Sequence, residues 1–479
     1  MLTQIRKSVP AMTADLAVSE SVAASPIPIP SSALEASELA TRVDGFGLVT
    51  DASYLAKCQV DTPQHIVTLV WLIVRRYRKK VGKVFDAGAG DGRFSVGGDY
   101  DSYVGYELDS KRIPVRALPT NAKILRSDAF ALAEPFDFDL AIGNPPYVRH
   151  HDLGDEWRSH VSDWIKSRTG VRPSGWSNAY LYFFWLALIA SANDGLVVYL
   201  VPFDWVTRPA AKSLREYIAR HGWTLDIYRF DDEPFETVLT TACVVVVDKR
   251  LKAGDARYFR IAPDNSISGL QSPTLSEHQP LAYKSSIART YARRGLSPGD
   301  QKVFLLTEAE RAANGLIIGR DVVPAVSTFR RVNCDQVGLT EAFFQKNFVD
   351  AGGRCWLINS SSAPSVALNS YLQANGHRCK HNSTCSQRAT WWQFEMPEAP
   401  RVLYSSGFRG PAPKSMINKI GAIAVGAVCG IYTSSDTAAR QIYDHIQNLD
   451  FSTQVVAMSK GFTKVEINQM NGVLQSLFE

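Results

Sequence analysis

Between residues 80 and 250 the sequence alternates short apolar runs with helix-spaced ones, and the first apolar run empties into a turn holding three glycines. That turn reads Asp86-Ala87-Gly88-Ala89-Gly90-Asp91-Gly92-Arg93-Phe94 and follows a strand predicted at residues 83–87. Further strands are predicted at 103–108, 122–125, 138–142, 195–201, 224–230 and 241–247, and helices at 180–192 and 213–221. Strands alternating with helices predict an α/β fold built on a mostly parallel, doubly wound sheet. A helix precedes the sheet, with Thr62 as N-cap, Pro63 in the first helical position and apolar residues through Val74. The chain has 479 residues, 45% hydrophobic and 21% charged. That is enough to bury a core, and it excludes a mini-protein, a wholly disordered chain and a fibrous repeat.

Glycines at a strand's end let a ligand approach the backbone closely. A turn that cradles a pyrophosphate is spaced Gly-x-Gly-x-x-Gly. Here the spacing is Gly-x-Gly-x-Gly, with Asp86 two residues before Gly88. This is the form suited to S-adenosylmethionine (SAM), whose zwitterionic amino-acid end needs no phosphate cradle. Glu107 closes the second predicted strand, where an acid accepts ribose hydroxyls. Asp128 closes the third and can accept from an adenine amine, with Phe130 packing on the ring. Each acid alone is an ordinary solvated loop carboxylate. Three of them at successive strand ends make a cofactor site the better reading.

The fourth strand runs into Asn144-Pro145-Pro146-Tyr147. A conjugated NH2 group is a poor nucleophile because its lone pair is delocalised. The Asn144 side-chain oxygen and the Pro145 carbonyl can accept its two hydrogens, which localises the lone pair for attack on a sulfonium methyl. Pro145 and Pro146 fix the backbone that holds these acceptors. Tyr147 offers a flat face to a planar substrate. The plainer reading, a Pro-Pro turn capped by Asn, does not explain the placement four strands into such a sheet.

With these residues in hand, the sequence resembles the γ-type DNA adenine-N6 methyltransferases, close to the TaqI-like and Eco57I-like enzymes of restriction–modification systems. The matching residues are Thr62-Pro63, the 86–92 turn, Glu107, Asp128 to Phe130, Asn144 to Tyr147, and Leu200-Val201-Pro202. The resemblance implies that Thr62 and Pro63 line the methionine end of the cofactor. It also implies that Phe235, in Glu233-Pro234-Phe235-Glu236, joins Tyr147 in sandwiching a flipped base. Residues 1–40, rich in Ala, Ser and Pro, read as a flexible leader, and the resemblance implies a SAM-binding catalytic domain at 41–255 and a DNA target-recognition domain of mixed α/β character at 256–479. Segments 294–304 and 388–392 are similar to recurrent pieces of such recognition domains. Double-stranded DNA is the implied partner, and a cognate restriction endonuclease is allowed as a second.

Charge fits a duplex substrate. Residues 1–250 hold 28 Lys and Arg against 30 Asp and Glu, a net of −2, whereas residues 251–479 hold 24 against 17, a net of +7. Arg388 with Trp391 and Trp392, and Arg401 to Arg409 with Tyr404 and Phe408, are basic–aromatic candidates for phosphate contact. No Pro-Cys dipeptide supplies the nucleophile of cytosine-C5 methylation. Methylation of RNA or of a protein glutamine amide is the alternative, because either amine needs the same acceptors. The basic C-terminal half counts against it. A non-catalytic DNA-binding subunit is disfavoured by the intact glycines and Asn144, and no nuclease core is evident.

The seven cysteines are widely spaced and predict no disulfide framework. His377, Cys379, His381 and Cys385 fit no common zinc module, so no metal is expected and their role stays open. No secretory signal is evident. The longest apolar stretch, 180–190, is too short to span a bilayer. A cytoplasmic protein is expected.

Overall fold

The run from Leu196 to Val201 shows how the main sheet is held. Leu196, Val198 and Leu200 pack into one buried cluster, and Val197, Tyr199 and Val201 into another. The next apolar run repeats the pattern, with Ala242, Val244 and Val246 on one side and Cys243, Val245 and Val247 on the other. Successive strand side chains point to opposite faces, so an unbroken apolar run specifies a strand covered on both faces. The computed structural model describes residues 61–478 apart from 114–116, 132–135, 232–234, 236–240, 253–255, 272–280, 286–288, 331, 333–335, 362, 380–381 and 456–461. The leader expected at 1–40, Cys58 and His381 lie outside the described residues.

In chain order the first part comprises α1 (Gln64–Tyr77), β1 (Val81–Ala87), β2 (Tyr100–Glu107), β3 (Ala122–Arg126) and β4 (Phe138–Gly143). Then come α2 (Asp155–Thr169), α3 (Ala179–Ala190), β5 (Ser191–Pro202), α4 (Lys212–His221), β6 (Trp223–Phe230), β7 (Ala242–Lys252), β8 (Arg257–Ile261) and β9 (Ile267–Leu270). The strands form one sheet in the order β3-β2-β1-β4-β5-β7-β6-β8-β9. Neighbours from β3 to β5 run parallel, while β7 is antiparallel to both β5 and β6. This is the mostly parallel, doubly wound sheet expected from the sequence. α1 covers one face, and α2, α3 and α4 the other. α3 is apolar all round and has eleven buried residues, as befits a helix inside the layer.

Three details differ from expectation. Pro63, not Thr62, occupies the N-cap of α1. Its carbonyl accepts from the amides of Ile66 and Val67 at 3.0 and 3.1 Å, so the helix start is satisfied without a capping side chain. The sheet also continues past residue 255. β8 pairs in parallel with β6 from Arg257 to Ile261, and β9 closes against β8. The sheet therefore ends at Leu270 rather than at the expected boundary. Third, α2 was not foreseen: only Trp157, Val161, Ser162 and Ile165 are buried on it.

Beyond the sheet lies a mixed α/β region. A five-stranded sheet joins Tyr291–Arg293, Val428–Tyr432, Val402–Ser405, Ser415–Asn418 and Gly338–Leu339 in that order. A four-stranded sheet joins Leu305–Leu306, Trp356–Ile358, Val322–Val326 and Ile423–Ala424. Helices Asp436–Asn448 and Ile467–Phe478 pack on the first of these. Arg208, from the loop before α4, forms an ion pair with Glu466 at 3.7 Å. Among the described residues no helix is long and apolar enough to cross a membrane.

Candidate active site

The C-terminal ends of β1, β2, β3 and β4 converge on one open cleft. β1 and β4 are neighbours whose connections leave in opposite directions, which opens a crevice at their ends. The glycine turn forms its floor. Gly88, Gly90 and Gly92 have φ of 80°, 56° and 74°, which side chains disfavour. The amides of Gly88 and Ala89 donate to the Tyr106 carbonyl at 2.8 and 2.9 Å and tie the turn to β2.

Of the residues expected at a cofactor site, Thr62, Gly88, Gly90, Glu107 and Asp128 line the cleft. Glu107 accepts from the Gly90 amide at 2.9 Å through Oε2 and from the Asp109 amide at 2.8 Å through Oε1. Asp128 accepts from the Phe130 amide at 2.9 Å, and burial pushes its carboxyl above the usual range.

Pro63, Asp86 and Phe130 are placed elsewhere. Pro63 caps α1 and is not among the residues lining the cleft. Asp86 is wholly buried beneath the turn, where Tyr103 donates to it at 2.5 Å. A side chain at Gly143 would meet Asp86 Oδ1 at 2.4 Å, so only glycine fits where β4 ends. Phe130 packs edge-on against Trp157 and Phe183, at centroid distances of 5.5 and 5.2 Å. Those two aromatics, not Phe130, reach the cleft.

The tetrapeptide at the end of β4 forms a wall, with Asn144, Pro145, Pro146 and Tyr147 all lining the cleft. Tyr147 donates from its hydroxyl to the Leu200 carbonyl at 3.1 Å, and its ring lies 6.2 Å from that of Tyr180. Asn144 donates through Nδ2 to Thr62 Oγ1 at 3.1 Å. Its Oδ1 is buried and has no hydrogen-bond partner among the described residues. Such an atom is costly unless something comes to it. Phe235 is not brought to this wall. It is 2% exposed in the cluster on the α1 side of the sheet and does not line the cleft.

Five further charged residues line the cleft: Asp61, Asp91, Arg93, Asp109 and Arg112. Arg93 pairs with Asp91 at 2.8 Å and with Asp61 at 3.1 Å, and Arg112 pairs with Asp61. Their signal was available, since Arg93 directly follows the last glycine of the turn. Trp157 carried none, because α2 itself was not predicted.

The basic–aromatic candidates divide. Arg388 donates to the carbonyls of Pro298 at 2.8 Å, Ser297 at 3.3 Å and Trp391 at 3.4 Å, and stacks over Phe394 at 5.1 Å. It therefore pins the 294–304 segment to the 388–394 turn. Trp391 and Trp392 pack against the core. Arg401 is paired with Asp436, and Tyr404 and Phe408 are buried. Arg409 is exposed, over the Phe462 ring at 5.8 Å. Cys379 and Cys385 are buried free thiols, and among the described residues no group of His, Cys, Asp and Glu could hold a metal ion.

Two family models match this chain. One is the Eco57I restriction-modification methylase, over residues 114–235, and the other is the C-terminal domain of the Type II methyltransferase M.Eco57I, over residues 274–452. The chain is 23% identical over 421 residues to the Type II methyltransferase M.XamI of Xanthomonas campestris pv. amaranthicola, covering 79% of this chain and 77% of that one. It is 29% identical over 175 residues to the Type II methyltransferase M.TthHB8I of Thermus thermophilus, covering 35% of this chain and 39% of that one. The solved structure of the Type IIL restriction-modification enzyme MmeI in complex with DNA shares the fold. That likeness has a TM-score of 0.53 at 11% identity and covers 91% of this chain and 66% of the other. Both parts of the chain are thus similar, in order, to Type II restriction–modification methyltransferases of the Eco57I kind, and one such relative aligns over most of each chain.

Proposed function

We propose that the protein transfers a methyl group from SAM to adenine N6 in a specific sequence of duplex DNA, acting on a base turned out of the helix. One observation carries this reading: a buried Asn144 Oδ1, without a partner among the described residues, at the wall of a glycine-floored cleft. SAM, when bound, supplies an electrophilic methyl group on sulfur. The residues suited to hold it are Gly88 and Gly90 on the floor, Glu107 for ribose hydroxyls and Asp128 for an adenine amine. Each Glu107 oxygen already accepts one backbone amide and keeps a further lone pair. The Asp128 oxygen not bonded to Phe130 is available to an amine.

Asn144 Oδ1 and the Pro145 carbonyl accept the two hydrogens of the target amine. That draws the nitrogen away from planarity and frees its lone pair. The acceptors are fixed before substrate arrives, so little reorganisation is needed when charge develops. The Tyr147 ring gives the base an apolar wall, and its hydroxyl is engaged away by Leu200. A base inside a duplex cannot reach this wall, so it must be turned out. The match of residues 274–452 to a Type II methyltransferase C-terminal domain supports DNA over an RNA or protein amine. A restriction endonuclease of the same specificity is the partner that this reading implies.

Asn144→Ala tests the assignment. Methyl transfer should fall about a hundredfold or more, as when a preorganised polar group is removed, with cofactor affinity retained by equilibrium titration. Normal turnover in this variant would remove Asn144 from the chemistry.

A further inference from the structure

The same wall raises a question of orientation. An asparagine amide presents an oxygen on one side and an NH2 on the other, and its terminal torsion is soft. With the NH2 turned into the cleft, it would face another NH2 and accept nothing. Some group must therefore hold Asn144 with Oδ1 inward.

We infer that Thr62 is that positioning residue, its hydroxyl holding the Asn144 amide so that Oδ1 faces the substrate amine. The inference rests on the role proposed for Asn144. Thr62 Oγ1 receives Asn144 Nδ2 at 3.1 Å, across 82 residues of sequence, and Thr62 is 3% exposed. Its hydroxyl is free for this because Pro63 has taken over the helix cap, its carbonyl accepting from Ile66 and Val67. The residue before a proline is confined to extended backbone, which limits where the hydroxyl can point. Thr62 is itself anchored, since its carbonyl accepts from Arg93. Arg93 is held in turn by Asp91 at 2.8 Å and Asp61 at 3.1 Å. The glycine turn thereby sets the position of Thr62, and Thr62 sets Asn144.

The test compares Thr62→Val, which keeps the branched shape and loses the hydroxyl, with Thr62→Ser, which keeps the hydroxyl. In Thr62→Val, kcat should fall about tenfold, the size of one lost hydrogen bond, with the Kd for SAM unchanged. In Thr62→Ser, kcat should stay near the parent value. Thr62→Ala carries the same expectation as Thr62→Val should the latter fold poorly. A parent-like kcat in Thr62→Val overturns the inference. So does a loss confined to cofactor affinity, which would make Thr62 a cofactor contact. Asn144→Ala run in parallel separates the two claims. If it is inactive while Thr62→Val is normal, only the positioning role fails. If it turns over normally, the role of Asn144 fails and this inference falls with it.

Discussion

Asp86 is a carboxyl with no route to water. Burial pushes it up to about 7, against the hydrogen bond from Tyr103, which acts to lower it. A folded-state value above the unfolded one means that the group stabilises the fold while protonated. That contribution is complete below about pH 4 and is lost as pH rises through about 7. Urea unfolding of the parent and of Asp86→Asn from pH 5 to 8 reads this directly. The parent should lose stability relative to the variant as pH rises, and a constant difference would mean that Asp86 does not titrate there. The residue also marks a limit of sequence reading. Spacing placed Asp86 at a strand end beside the glycines, but not on the buried side with Tyr103. Asn144 was legible because its neighbours Pro145 and Pro146 fix it at the end of a strand. Its partner Thr62, 82 residues away, was not.

At the level of elements, the seven strands from β1 to β7 and the helices α1, α3 and α4 were legible because their apolar patterns are long or unbroken. The direction of β7 was not, since a strand buried on both faces reads the same either way. α2 presents only the narrow apolar stripe of Trp157, Val161 and Ile165 amid charges. β8 carries Arg257 and Arg260 on its exposed positions and so looks like loop. Yet Arg257 donates twice to the buried Asp226, at 2.6 Å each. Arg257→Met should cost about 2 kcal/mol, less than for a wholly buried pair because the guanidinium is half exposed. The midpoint of denaturant unfolding measures it. No change would mean that Tyr77, which also donates to Asp226, is sufficient.

Across the whole molecule, the +7 net charge after residue 250 is only partly available to a polyanion. Arg388 is spent on backbone carbonyls and Arg401 on Asp436. Composition could place the charge in this half but could not separate structural guanidinium groups from exposed ones. Arg388→Ala should therefore lower the melting temperature and leave the salt dependence of DNA binding unchanged. Arg409→Ala should reduce the slope of log K against log salt by about one. The opposite assignment of slopes would place Arg388, and not Arg409, against the phosphates. Which atom receives the methyl group is read by incubating purified protein with methyl-labelled SAM and unmethylated duplex DNA and digesting to nucleosides. Label should appear in N6-methyldeoxyadenosine alone; label in a methylated cytosine, in RNA or in protein, with none in that nucleoside, would rule out transfer to adenine N6.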